Sequence, residues 1–200
     1  GRYGRTMKEK KNDMDNNIQS NDLQNNNMQT DNPVTIRVMT PEDYDQIKAL
    51  WLSIKGFVIR SVDDSREGVE MFLKRNPSTS VVAVSEKGEI VGGILCGHDG
   101  RRGCLYHVCV REDYRRLGIG KEMVVNCMNA LKAEKINKVS LIAFTANDIG
   151  NAFWNTIGWT KREDLNYYDF TLNEANITAF NKLYRAWKGP EQEQDMKEIT

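Results

Sequence analysis

Three short apolar runs follow one another between Ser80 and Val110 with only turns between them, and this succession constrains the fold more than any other feature of the chain. Ser80–Ser85 is β-branched and apolar, Lys87-Gly88 is a turn, and Ile90–Cys96 is a second run, interrupted by Gly92-Gly93. The polar stretch Asp99-Gly100-Arg101-Arg102-Gly103 suits a hairpin loop before the third run, Leu105–Val110. Consecutive strands joined by short turns make an antiparallel meander. Adjacent glycines inside a strand mark a bulge or a close backbone approach. A long amphipathic helix begins near Leu117 and carries Ile119, Met123, Val124, Cys127 and Leu131 on one stripe. Val139–Phe144 reads as the next strand, so this helix is the one place where a parallel crossover fits. A ligand is therefore expected at the carboxyl end of the strand that ends near Val110.

The rest of the chain fills in around that unit. Val34–Met39 alternates as a strand, and Thr40-Pro41-Glu42-Asp43 reads as a helix start with a capping box. Tyr44, Ile47, Leu50, Trp51 and Ile54 then follow at helical spacing. A second helix is expected from about Asp64 to Arg75, stopped by Asn76-Pro77. Ile149–Thr156 reads as a short helix, Trp159–Leu172 as two short strands, and 173–188 as a C-terminal helix striped by Ile177, Phe180, Leu183, Tyr184 and Trp187. That stripe either packs on the domain or pairs two subunits, so monomer and homodimer both stay open. The order predicts an α/β (α+β) fold with a mixed, mostly antiparallel sheet of six to seven strands and helices on its faces. One domain over 34–172 is the expectation, with a polar tail at 189–200.

Composition narrows the function classes. Gly1–Pro33 holds eight asparagines against six apolar residues, too little to offset its ordering entropy, and is read as disordered. Gly1–Thr6, ahead of Met7, reads as an appended piece. The 28 basic and 28 acidic side chains balance, which argues against a nucleic-acid binder held by phosphate contacts. No apolar run approaches the ~18 residues of a membrane span. Cys96, Cys104, Cys109 and Cys127 are too few for a disulfide scaffold, so a reducing, cytoplasmic setting is expected.

The expected ligand position is occupied by Arg115-Arg116-Leu117-Gly118-Ile119-Gly120, after a strand and before a helix. Glycines let the main chain turn tightly and meet a ligand without a Cβ in the way. Free N–H groups of the first helical turn and the helix dipole favour an anion, and with the arginines they make a phosphate cradle. The alternative for the glycine pair alone is an ordinary strand-to-helix turn. No G-x-x-x-x-G-K-[ST] string and no dinucleotide fingerprint accompanies it.

On these residues the chain resembles the GNAT N-acetyltransferases. Arg115-x-x-Gly118-x-Gly120 is similar to the family's R/Q-x-x-G-x-G/A signature, and Val108-Cys109-Val110 to the strand before it. Asn147-x-x-Gly150-x-x-Phe153-Trp154-x-x-x-Gly158-Trp159 is similar to a second family string. Within the family, Gly97–Gly103 looks most like small bacterial RimI-like members. The resemblance implies acetyl-coenzyme A as cosubstrate, no metal, and a primary amine, in a small molecule or a protein, as acceptor. It places the pyrophosphate on the N–H groups of Leu117, Gly118, Ile119, Gly120 and Lys121. The pantetheine would lie in a splay between the strands ending at Val110 and near Phe144, bonded to main-chain groups of Val108 and Val110. Asn147 would bond the cofactor arm or simply cap the short helix.

The resemblance also exposes departures. Acidic side chains of relatives match Cys104 and Ile142 here, so a strong carboxylate base is missing. An amine of pKa ~10.4 must still lose a proton. His107 and Tyr106 are the remaining candidates. His107 either takes the proton or lies on the sheet's outer face, whereas Tyr106 is expected on the face of Val108 and Val110 by period two. Trp154 stands where relatives carry a tyrosine that protonates the leaving thiolate, and an indole N–H is only a donor. Tyr167 or Tyr168 would supply a replacement hydroxyl. Two other readings remain: a coenzyme A-binding sensor without turnover, and a metal protein built on Cys96, His98, Cys104, His107 and Cys109.

Overall fold

The computed structural model describes residues 33–180. Strand β1 (Val34–Val38) leads through a 3-10 turn (Pro41–Asp43) into helix α1 (Tyr44–Ser53). Asp43 sets this junction: one carboxylate oxygen accepts the Thr40 N–H at 2.8 Å, and the carboxylate takes a two-pronged contact from Arg37 of β1. Burial raises the Asp43 carboxyl, but the Arg37 and Thr40 bonds outweigh it and hold the group below its ordinary value. A short strand β2 (Val58–Arg60) precedes helix α2 (Arg66–Arg75), where Ser65 accepts the Gly68 N–H at 3.1 Å as the cap. The meander follows as β3 (Val81–Ser85), β4 (Ile90–His98) and β5 (Gly103–Val110). A 3-10 turn (Glu112–Tyr114) then reaches helix α3 (Ile119–Ala133), strand β6 (Val139–Leu141), helix α4 (Asp148–Thr156) and strand β7 (Thr178–Phe180).

The main sheet runs β1-β3-β4-β5-β6, antiparallel except for the parallel β5–β6 pair that α3 connects. Among the described residues it has five strands rather than the expected six to seven, and β2 and β7 form a separate antiparallel pair. Three differences account for the count. Ile142–Phe144 leaves the sheet, so the expected strand Val139–Phe144 stops at Leu141. Residues 159–172 are irregular, with Tyr168, Phe170 and Leu172 at least 85% exposed, so the alternation there has found no sheet to lie on among the described residues. Residues 173–177 form turns and bends, and Thr178–Phe180 pairs with β2 instead of starting a helix. Leu183, Tyr184, Trp187 and the polar tail lie outside the described residues, as do residues 1–32.

Alternate residues of β3 feed two cores. Val82 and Val84 face α1 and α2, packing with Ile47, Trp51, Val69 and Leu73, while Val81 and Ala83 face α3 with Ile119, Met123 and Val124. The Gly92-Gly93 pair lies between both layers. A Cβ on Gly93 would come within 2.7 Å of Ile47 Cδ1, and one on Gly92 would meet the Met123 thioether at 3.0 Å. The helices therefore sit close on either side because the strand carries no side chain there.

Candidate active site

The expected cofactor side lies at the start of α3. Gly118 is the N-cap, with φ 79 in the left-handed region, and open space lies where its Cβ would be. Its carbonyl accepts the Glu122 N–H at 3.0 Å, so the preceding amides of the first turn face away from the helix ladder. Arg116 is also left-handed (φ 64), and Arg115 turns back to donate its Nε–H to the Val110 carbonyl at 3.1 Å. Arg116, Leu117 and Lys121 are exposed around this turn. The geometry fits an anionic diphosphate: outward amides, a helix dipole, nearby cations and no Cβ in the approach. Gly120 has a packing duty besides its first-turn amide. A Cβ there would lie 3.3 Å from the Phe153 ring, so the missing side chain lets α4 close on α3.

The sheet opens next to this turn. Parallel pairing of β5 with β6 ends at Leu105 opposite Leu141, whereas β5 continues to Val110. Beyond Leu105, main-chain groups on that edge of β5 have no β6 ladder partner, a gap in the pairing of the two strands. Asn147 stands past the gap as the cap of α4, its Oδ1 accepting the Gly150 N–H at 3.0 Å. Gly150 is required by that cap, since a Cβ would run into the Asn147 side chain. The Val110 carbonyl already accepts Arg115, which leaves Val108 as the less encumbered of the two expected main-chain partners. Cys109 turns its side chain into the core beneath α1, and burial pushes its thiol up to about 12, so it contributes backbone only.

A bulge reverses the expected facing of β5. Gly93 pairs with Cys109 but Leu95 pairs with Tyr106, so β5 carries one extra residue, and His107 sits there at φ 52. Val108 and Val110 pack toward α3, while Tyr106 meets Phe72 of α2 at 5.9 Å between ring centroids. Tyr106 thus does not share the face of Val108 and Val110, and His107 is not on an outer face. His107 packs against the stacked Trp51 and Phe57 rings, with centroids 4.7 and 5.0 Å away, and its Nε2 meets Asp64 Oδ1 at 2.7 Å. Burial, with help from the Cys104 thiol, pushes the Tyr106 phenol above its ordinary range, so it remains a neutral hydroxyl at physiological pH.

Asp64 was not singled out by its sequence, where it reads as a helix start. Ser65 takes the cap instead, which frees the Asp64 carboxylate to turn inward. Tyr106 lines one of two shallow clefts. One of about 350 Å³ is lined by Arg60, Asp63, Tyr167 and Asp169, and one of about 300 Å³ by Arg75, His98, Arg102, Cys104 and Tyr106 itself. Tyr167 therefore faces a cleft while Tyr168 points outward at 85% exposure. Trp154 packs with Phe153 and Trp159, each centroid 4.9 Å away, and rests on the α3-side core. Ile142 is 64% exposed and Cys104 is half-buried. The five Cys and His residues of β4 and β5 are dispersed: His98 pairs with Glu134, His107 with Asp64, and Cys96 and Cys109 enter opposite cores. Among the described residues no three His, Cys, Asp or Glu side chains gather as a metal site, and no helix is long and apolar enough to cross a membrane.

Known proteins are similar to this chain in sequence and in fold. An acetyltransferase of Sodalis glossinidius (strain morsitans) is 32% identical over 113 residues, covering 56% of this chain and 78% of its own. One of Pectobacterium atrosepticum is 30% identical over the same shares. Among solved structures, an aminoglycoside acetyltransferase from an uncultured soil metagenomic sample, in complex with trehalose, superposes with a TM-score of 0.55. It is 23% identical, and the likeness covers 72% of this chain and all of that one. The PaiA N-acetyltransferase of Thermoplasma acidophilum, in complex with coenzyme A, gives a TM-score of 0.54 at 16% identity, over 62% of this chain and 88% of that one. These structures share the fold. The profile of the Acetyltransferase (GNAT) family matches residues 45–159, more than half of the sequence and every element from α1 to α4, and the chain belongs to that family.

Proposed function

We propose that this acetyltransferase moves the acetyl group of acetyl-coenzyme A to a primary amine by direct attack in a ternary complex. The observation that carries the reading is the pairing of two features at one place: the β5–β6 gap beyond Leu105 and the left-handed Gly118 that opens α3. The amides of Leu117, Gly118, Ile119, Gly120 and Lys121, with Arg116 beside them, would hold the diphosphate. Val108 would offer main-chain groups to the pantetheine amides, and an N–H there would polarise the thioester carbonyl. Asn147 has its Oδ1 committed to the α4 cap, so its amide N–H would be the group toward the cofactor arm. Phe153 and Trp154 would wall the gap. When bound, the thioester supplies an activated acetyl carbon, and the protein supplies position, dipoles and a proton acceptor.

The acceptor would lie on the α1/α2 side of β5, where the bulge puts Tyr106 and His107, with acidic Asp63 and Asp169 lining the adjoining cleft. Carboxylates around an approach suit a cationic amine over an anionic one. The remaining expectations form part of the same reading: a catalytic domain over 34–172, a small bacterial RimI-like enzyme, a cytoplasmic setting, no metal, and a monomer or homodimer. Release of free thiol from acetyl-coenzyme A with spermidine, kanamycin and a short peptide bearing a free α-amine tests it. Amine-dependent thiol release is expected. Tight coenzyme A binding with no release on any of the three would favour the second reading, a sensor, which the tryptophan at position 154 motivates.

A further inference from the structure

The His107 backbone lies in the left-handed region at the β5 bulge, a conformation that strains a residue with a Cβ and that glycine adopts freely. The strain accompanies an unusually well-held ring. Trp51 and Phe57, stacked on each other, both pack against the imidazole, its side chain is only 21% exposed, and Nε2 is 2.7 Å from Asp64 Oδ1. Asp64 is in turn 4% exposed and fixed at several atoms. Its Oδ2 accepts the Arg60 N–H at 2.6 Å, its own N–H donates to the Arg60 carbonyl, and its carbonyl accepts from the Tyr44 hydroxyl and Lys48 Nζ. A buried carboxylate with both oxygens engaged has one arrangement available. Oδ2 belongs to a backbone amide, and Oδ1 belongs to the imidazole.

We infer that Asp64 is a positioning residue that fixes His107 as the Nε2–H tautomer and thereby makes Nδ1 the group that takes the proton from the attacking amine. The inference rests on the acetyl-transfer reading above. A carboxylate offers only acceptors, so the neutral ring beside it must carry its proton on Nε2, leaving the Nδ1 lone pair unprotonated. In the transfer step, the amine lone pair forms the C–N bond to the acetyl carbon. The C–S pair leaves with the coenzyme A sulfur, and the proton shed by nitrogen passes to Nδ1. The imidazolium so formed keeps its Nε2–H on Asp64, whose negative charge stabilises it, and returns its excess proton to solvent. The same logic accounts for the missing glutamate: the base is a histidine aimed by an aspartate from the loop before α2.

Replacing Asp64 by asparagine makes a specific prediction. The Arg60 N–H still needs an acceptor, so the amide oxygen must turn toward it and the –NH₂ toward His107. That donor forces the imidazole into the opposite tautomer, with Nε2 bare and Nδ1 protonated. Long-range ¹H–¹⁵N spectra of histidine-labelled protein read this directly at a pH above the histidine range, and the chain has only two histidines, so His98→Gln assigns both. The expected result is Nε2–H in the native protein and Nδ1–H in Asp64→Asn. With the three amines above, kcat should fall on the order of 10²-fold or more, while calorimetry finds coenzyme A affinity unchanged within about twofold. His107→Asn, whose residue tolerates the left-handed region, should lose as much kcat with the same cofactor affinity. A native ring protonated on Nδ1, or an Asp64→Asn enzyme with unchanged kcat, overturns the inference. A native protein that releases no thiol with any amine instead overturns the acetyl-transfer reading, while the spectra still decide whether Asp64 sets the tautomer.

Discussion

The two proposed sides of the site are made in different ways. The cofactor side is contiguous: Val108, Arg115, Arg116, Gly118 and Lys121 follow within fourteen residues of one strand-turn-helix segment. The acceptor side is assembled from distance. His107 comes from β5, Trp51 from α1, Phe57 and Asp64 from the segment between the first two helices, and Tyr167 from beyond α4. Local geometry survives change elsewhere in the chain, because its conformation is set by a glycine and a helix start. Assembled geometry depends on each contributing element holding its place. Perturbations of the two sides should therefore separate cofactor affinity from turnover.

The largest expected effect tests the contiguous side. Gly118→Glu adds bulk and a negative charge in the open approach and strains a left-handed position, so coenzyme A affinity should fall at least 10²-fold by calorimetry. Affinity unchanged within twofold would move the diphosphate off α3. Next comes Gly68→Ala on the assembled side. A Cβ there would lie 2.4 Å from the Val62 and Asp63 carbonyls, backbone that cannot rotate away, so the loop bearing Asp64 must shift. A thermal melt should show a loss of about 1–3 kcal/mol, with turnover reduced and coenzyme A affinity retained. An equal loss of affinity would mean that the two sides are not separable. A smaller effect is expected from Asn147→Ala, which removes the α4 cap at a cost of about 1 kcal/mol. Any further drop in coenzyme A affinity measures how much that side chain gives to the cofactor arm.

The smallest effect is a slope with pH. The Asp43 carboxyl is lowered in the folded protein, with Arg37 and Thr40 outweighing burial, so the unfolded chain binds its proton more readily. Its contribution is fully present above the ordinary aspartate value of about 3.9 and is lost as pH falls through the lowered folded value. Urea melts between pH 5 and 3 should show that Asp43→Asn has a shallower acid decline than the native protein. Because Asp43 serves the β1–α1 junction and neither side of the site, coenzyme A affinity at neutral pH should not change.

This contrast also explains what could be read from the residues alone. The meander, the long crossover helix, the cap residues at Thr40 and Asn147 and the Gly118 turn all follow from periodicity and local chemistry within a dozen residues. Strand β2 escapes that approach because Val58–Arg60 is held by Thr178–Phe180, more than a hundred positions away. The alternation across Trp159–Leu172 misleads for the opposite reason, since a strand pattern needs a neighbour to become a strand. The facing of Tyr106 was misjudged because period two holds only while the register does, and the extra residue at His107 leaves no compositional mark. Asp64 was hidden in a run of three residues that can each cap a helix, Asp63-Asp64-Ser65, of which only Ser65 does. The surplus carboxylates were the available clue.

A strand that turns two successive side chains to one side has made its own length part of its chemistry. Removing Val108 would restore an even pleat and, by alternation, swing the imidazole round to the α3 side, while leaving both rings of the pocket in the chain. In this enzyme a deletion there should be more damaging than most substitutions, because spacing rather than identity decides which partner each ring meets.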